Sequence, residues 1–218
     1  MQVLGRYVRS GQSVLDYACG IGFLSAHLLR SFHVDVWATD EGEHAIELTQ
    51  RRNGGQLRFR TATTVDTLLA QGTRFDRVVA VELVEHLDDD QLELFFDRVS
   101  RLLVPSGLLV VTTPNGEQLD RKMILCPNCN QTFHRWQHVR SVSSSTLAQL
   151  AAEHGFRLHE SRETSFARRG PLGYLLRRHP CLVPARAMHR PHLVGVLARS
   201  GSGVRTRCRP HRPRRFAP

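Results

Sequence analysis

The stretch Ser13-Val14-Leu15-Asp16-Tyr17-Ala18-Cys19-Gly20-Ile21-Gly22, followed by Phe23-Leu24-Ser25-Ala26-His27-Leu28-Leu29, decides how the rest of this chain reads. A short apolar run ends in an acid, a turn of small residues follows, and apolar residues then recur at helical spacing. The pattern predicts a strand, a tight turn and a helix. So lean a turn lets backbone N–H groups approach a nucleotide-like ligand closely. A glycine-rich turn after a strand also occurs as a tight turn and nothing more, so the motif alone is weak. Asp40 strengthens it. Eighteen residues after Gly22, it closes a second apolar run, Val34-Asp35-Val36-Trp37-Ala38-Thr39, where an acid is placed to hydrogen-bond ribose hydroxyls.

Reading outward, strands and helices alternate. Strands are expected at Val14–Tyr17, Val34–Thr39, Leu57–Thr61, Phe75–Val81 and Leu108–Thr113, with helices at Phe23–Phe32, Gly42–Arg52 and Asp90–Leu103. Val65–Ala70 reads as a short helix or turn. The Asp90–Leu103 segment places Leu92, Phe95, Phe96, Val99, Leu102 and Leu103 on one face. Alternation of this kind implies parallel βαβ units and a doubly wound, Rossmann-like, mostly parallel sheet. Residues 114–145 break the rhythm with a polar stretch rich in Cys, His and Trp, placed where a substrate-facing insertion would sit. A helix at Thr146–His154 and a strand at Phe156–Glu160 follow. Beyond about residue 170 prolines punctuate an Arg-rich stretch, with brief helices expected at Tyr174–Leu176 and His192–Ala198 and disorder from Ser200 onward. The expected organisation is therefore a domain over 1–165 carrying an insertion at 114–145, then an irregular, largely disordered tail over 166–218.

Composition sets the class. The chain has 218 residues, enough for one α/β domain with a substantial core. No run of 18 apolar residues occurs, so no membrane span is expected, and the first ten residues lack the apolar stretch of a secretory signal. The expected compartment is the cytoplasm. Five cysteines in such a chain do not suggest a disulfide framework. The formal charge of +10 is an average over unlike parts: residues 161–218 hold 14 Arg and a single acid, Glu163, whereas the body is mildly acidic. Such a tail suits nucleic acid or an anionic surface. Aromatic residues for base stacking are scarce in it, which favours a composition-biased tail over a nucleic-acid arm.

With these motifs in order, the chain resembles the class I S-adenosylmethionine-dependent methyltransferases over roughly residues 12–165. The carrying residues are Val14-Leu15-Asp16-Tyr17-Ala18-Cys19-Gly20-Ile21-Gly22, Asp40, Phe75-Asp76 to Glu82, and Leu102-Leu103-Val104-Pro105-Ser106-Gly107-Leu108-Leu109-Val110-Val111. Within the class, Val81-Glu82-Leu83-Val84-Glu85-His86-Leu87 and Thr112-Thr113-Pro114-Asn115 look like the ubiquinone-biosynthesis O-methyltransferase group. The resemblance implies S-adenosylmethionine as cofactor and a small-molecule or lipid-linked metabolite hydroxyl as acceptor. It implies that Asp16 orients the turn and the methionine ammonium, that Gly20 and Gly22 admit the ligand to the backbone, and that Asp40 binds the ribose. Glu82 would face the methionyl end or the substrate. Ala18 replaces the usual first glycine, and its methyl fits if φ there is negative. No acid follows strand three, so adenine contacts are expected from Ala62 and Thr63.

A sulfonium is an excellent leaving group, so the protein chiefly aligns donor and acceptor. A base helps when the acceptor is a hydroxyl. His86 is the candidate, four residues after Glu82 and on its face if the segment turns helical. The alternative is that Glu85 and His86 only cap and pack the loop.

Cys126-Pro127-Asn128-Cys129, with His134 and His138, reads C-x2-C-x4-H-x3-H. Two thiolates and two imidazoles suit a tetrahedral structural zinc. The alternative is a reduced pair, with His138 contacting substrate. A competing metal reading comes from resemblance to small-RNA 3′-terminal 2′-O-methyltransferases, whose Glu-x-x-Glu-His motif and later histidine are matched in kind by Glu82, Glu85, His86 and His138; a divalent cation would then activate a ribose hydroxyl. A third reading is a cofactor-binding but inactive protein, docked on nucleic acid by its basic tail.

Overall fold

The computed structural model describes residues 4–165 and 191–201. Fourteen regular elements appear after a short 3-10 turn at Leu4–Arg6. In chain order they are β1 (Ser13–Tyr17), α1 (Phe23–Ser31), β2 (Asp35–Thr39), α2 (Glu43–Asn53), β3 (Phe59–Thr63), α3 (Val65–Ala70), β4 (Phe75–Val81), α4 (Asp89–Leu102), β5 (Leu103–Pro114), β6 (Met123–Leu125), β7 (Thr132–His134), α5 (Ser144–Glu153), β8 (Phe156–Thr164) and β9 (His192–Arg199).

Seven strands form one sheet in the order β3-β2-β1-β4-β5-β9-β8. β1 to β5 are parallel neighbours, and β9 runs antiparallel between β5 and β8. The order reverses between β1 and β4, the switch point where parallel sheets open a crevice beyond their carboxyl ends. Register brings those ends level: Tyr17 pairs with Thr39 and with Ala80, and Thr39 with Thr63. The glycine turn, Asp40 and Glu82 follow these ends in sequence and so collect on one rim.

The apolar runs explain the layers. Val14, Leu15, Val78, Val79, Leu109 and Val110 are fully buried in strands covered on both faces. α4 buries Leu92, Phe95, Phe96, Val99 and Leu102, the stripe legible in the sequence. Its start is set by a capping box: the Asp88 carboxylate accepts the Gln91 N–H at 2.9 Å while the Gln91 side chain accepts the Asp88 N–H. Ser143 and Thr146 do the same for α5. No helix among the described residues is long and apolar enough to cross a membrane.

Two expectations are corrected. His192–Arg199 is a strand, not a brief helix, and it lies inside the sheet with Leu193, Val194, Val196 and Leu197 buried. Eight residues of the expected tail therefore belong to the domain. A single apolar run of this length fits either element, and tertiary pairing decides. At Gly195 a Cβ would lie 2.3 Å from Leu147 of α5, so the bare backbone is what lets the helix seat on the sheet. The insertion contains a small two-stranded sheet, β6 against β7, that the sequence reading left irregular. The expected helix at Tyr174–Leu176 lies outside the described residues, as does all beyond Gly201 of the disorder expected from Ser200 onward.

Candidate active site

The turn after β1 is built from below. Asp16 is buried, and its Oδ2 accepts both the backbone N–H (2.9 Å) and the hydroxyl (2.7 Å) of Ser25 in α1. Burial pushes its carboxyl up to about 6 against the opposing pull of Ser25. Asp16 thus ties the end of β1 to the first turn of α1. Two residues the sequence reading missed support the turn from α2. Thr49 donates its hydroxyl to the Gly20 carbonyl at 3.0 Å, and the Asn53 amide reaches the Gly22 carbonyl at 3.3 Å. Both are fully buried polar side chains one helical turn apart, a signal visible only once α2 is known to pack on this turn.

The two glycines differ. Gly22 adopts φ 77°, and a Cβ there would meet Asn53 and Thr49 at 2.7–2.9 Å. Gly20 adopts φ 53° with nothing within 4 Å of where its Cβ would be, leaving open space beside the backbone. Ala18 lies at φ 58°, so the condition of a negative φ fails. The usual glycine is replaced where the backbone is still left-handed, at a cost of about 1 kcal/mol.

Asp40 stands at the end of β2 as expected. Its two oxygens accept the N–H groups of Gly20 (2.9 Å) and Gly42 (3.0 Å), which joins the end of β2 to the turn. Thr63 closes β3 on the same rim. The Ala62 N–H is already bound by the Gln50 side chain at 3.1 Å, so an adenine contact there must displace Gln50. A cavity of about 240 Å³ opens beside Tyr17, Ala18, Asp40, Leu83 and Leu87. The open side of Gly20, the acid at Asp40 and this cavity are a fit for S-adenosylmethionine.

Beyond β4 the segment turns without forming a helix, which corrects the helical premise for His86. Glu82 takes φ 51°, a left-handed value for a residue with a side chain, and the His86 N–H bonds back to the Leu83 carbonyl at 2.9 Å. Strain of this kind collects at functional sites. Glu82 is held by the Thr112 hydroxyl at 2.8 Å, and its other oxygen lies 3.3 Å from His192 Nδ1. Leu83 and Leu87 line the cavity, whereas Glu85 and His86 meet the insertion.

There Glu85, His86 and His138 offer ligand atoms within 4.8 Å of one another. The His86 and His138 rings meet edge to face at 4.7 Å. Burial first, then His138, holds His86 below the usual histidine value. Glu85 is 1 % exposed, and neither carboxylate oxygen makes a hydrogen bond of good geometry, the Thr113 hydroxyl offering only a weak one. Burial pushes it up to about 7. Its carbonyl accepts the Val139 N–H at 2.8 Å, which ties the turn to the insertion.

A second group, Glu117, His134 and His138, adjoins the first through His138. Glu117 is bound by Lys122 and by His138 Nδ1. Burial alone would raise its carboxyl, but these two partners hold it below the usual value. The His134 and His138 rings stack at 4.6 Å. Cys126 and Cys129 belong to neither group. The four expected zinc ligands are thus not brought together: the cysteines sit where the chain reverses beyond β6, and the histidines at the far end of β7 and past it. Neither Glu85 nor Glu117 was singled out as a site residue from sequence, apart from Glu85 in the RNA-enzyme comparison.

Residues 2–161 match a family described as a methyltransferase domain. The chain is 31% identical over 109 residues to the ubiquinone biosynthesis O-methyltransferase of Bartonella bacilliformis, covering 49% of this chain and 42% of that one. It is 33% identical over 116 residues to the mitochondrial enzyme of the same name from Rattus norvegicus, covering 50% and 33%. The chain thus spans less than half the length of these curated relatives. In structure it resembles the Burkholderia thailandensis 1,6-didemethyltoxoflavin-N1-methyltransferase with bound S-adenosylhomocysteine (TM-score 0.61, 20% identity, 91% of this chain and 76% of that one). It likewise resembles the glycopeptide N-methyltransferase MtfA (TM-score 0.66, 15% identity, 91% and 88%). The family match covers most of the chain, the sheet order is that of the class, and the chain belongs to the class I S-adenosylmethionine-dependent methyltransferases.

Proposed function

We propose that the chain moves the methyl group of S-adenosylmethionine to a hydroxyl oxygen of a small or lipid-linked metabolite, with His86 as the base. The carrying observation is the convergence of His86 and buried Glu85, on the turn whose leucines line the cavity, with His138 of the insertion. The relatives named for O-methylation support an oxygen acceptor. The cofactor supplies an activated methyl group on a sulfonium. The chain would do the rest: the Gly20–Gly22 turn and Asp40 would seat the cofactor, Glu82 would face the methyl donor or the acceptor, and His86 would take the acceptor's proton as the C–O bond forms and the methyl–sulfur bond breaks to leave a neutral thioether. His138 steadies the imidazole edge to face.

A second reading is favoured by the two poorly satisfied oxygens of Glu85. A divalent cation held by Glu85, His86 and His138 would supply Lewis-acid activation of the hydroxyl in place of the base. An RNA acceptor finds no support among the relatives.

Transfer of label from S-[methyl-³H]adenosylmethionine into fractionated extract, with and without chelator, tests both. Chelator-resistant transfer to a hydroxyl supports the base, and chelator-sensitive transfer the cation. Failure to bind S-adenosylhomocysteine would sink the proposal. Tight binding with no turnover on any fraction would favour a binding-only protein.

A further inference from the structure

The cysteine pair at the turn of the β6–β7 hairpin is left unused by the methyl-transfer site. We propose that Cys126 and Cys129 form half of a tetrahedral zinc site completed by the same pair on a second copy of this chain. The proposal does not depend on which acceptor is methylated.

The turn is shaped as a two-sulfur chelate. The Cys126 N–H donates to the Gln131 carbonyl at 2.8 Å, and the Asn130 N–H to the Cys126 carbonyl at 2.9 Å. Asn130 takes φ 53°, which completes the reversal. The Cys-x-x-Cys spacing carries both thiols on this one turn. Adjacent thiolates suit a soft cation. Both cysteines reach solvent, Cys129 fully.

Zinc takes four such ligands. The histidines of the insertion are engaged with Glu117 and each other, and no convergent group among the described residues includes either cysteine. Two thiolates alone leave half the ion's positions open.

The hairpin's own surface points to what fills them. Ile124 (43% exposed) and Phe133 (40% exposed) are cross-strand partners and so share one apolar face of the hairpin beside the chelating turn. A twofold axis through the ion would place the same face of a second copy over this one, an isologous contact that covers both. Charge agrees as well. Four thiolates around Zn²⁺ carry a net charge of −2, and Arg121 and Arg135 border the hairpin on each copy. Binding releases the thiol protons to solvent, with no change in oxidation state.

The test uses the full chain, reduced and stripped of metal, titrated with ZnCl₂ and followed by sedimentation velocity and elemental analysis. The expected result is a doubling of mass at one zinc per two chains, reversed by EDTA. Co²⁺ in place of Zn²⁺ should give strong sulfur-to-metal charge-transfer absorption at the same stoichiometry. Cys129→Ser should abolish both while circular dichroism shows the fold unchanged, and Cys181→Ser with Cys208→Ser should retain both. Zinc bound one per monomer, a site lost with Cys181 and Cys208, or no retained metal would each overturn the proposal.

Discussion

The two sides of the rim differ in how their polar groups are satisfied. On the β1–β2 side the chain pairs its own groups: Asp16 with Ser25, Asp40 with Gly20 and Gly42, and the turn carbonyls with Thr49 and Asn53. On the β4–β5 side Glu85 is buried with only a weak partner, Glu82 is strained, and histidine rings stack on each other. The difference separates a rim side whose polar groups are satisfied within the chain from one whose polar groups are not. The first side holds a shape, while the second keeps groups in a state that a proton, a cation or a substrate would relieve.

Substitutions on the two sides should therefore fail differently. The largest effect is expected for Gly22→Ala, which adds a left-handed side chain and contacts below 3 Å to buried Asn53 and Thr49. A loss of about 3 kcal/mol in denaturant unfolding is expected, with no measurable S-adenosylhomocysteine binding by calorimetry. Near-parental binding would show that the turn is not a rigid receptor.

On the β4–β5 side Glu85→Gln should do the opposite and stabilise. The folded Glu85 carboxyl titrates near 7 rather than 4.5, so the parent's stability is full below pH 4.5 and falls as pH rises through 7. The variant should gain up to about 3 kcal/mol at pH 8 in EDTA, and the gain should vanish near pH 4. A pH-independent difference would place a strong partner on Glu85 that the geometry does not show.

His86→Ala should lower turnover by about a hundredfold, with S-adenosylhomocysteine affinity unchanged and partial rescue by added imidazole. Equal losses of binding and turnover would merge the two sides into one structural unit. Smallest is Ala18→Gly, expected to relieve left-handed strain by about 1 kcal/mol, less the added freedom of the unfolded chain. A small rise in melting temperature with unchanged affinity checks it.

What was legible in the sequence follows the locality of the signal. The β1 turn, Asp40 and the α4 stripe are encoded in contiguous residues, and the periods 2 and 3.6 reveal them directly. β9 was misread because Leu193–Ala198 is a short apolar run in an Arg- and Pro-rich setting, and its partner β5 lies some 80 residues earlier. Thr49 and Asn53 look like ordinary polar residues of a surface helix until the fold buries them. The zinc spacing counted residues between ligands but not the two strands that hold them apart. The left-handed φ of Ala18 is a backbone property to which an alanine code gives no clue.

The register of β9 has a consequence for engineering. Thr164 at the end of β8 pairs with His192 at the start of β9, so these two strand ends lie side by side in the sheet. Closing a longer span between fixed ends costs only about 0.6 kcal/mol per doubling of length. The chain thus carries a socket next to Glu82 and His192, where segments of different length and chemistry can be exchanged with the sheet left as it is. A library grafted between Thr164 and His192 would screen for new acceptors without disturbing the cofactor turn on the other side.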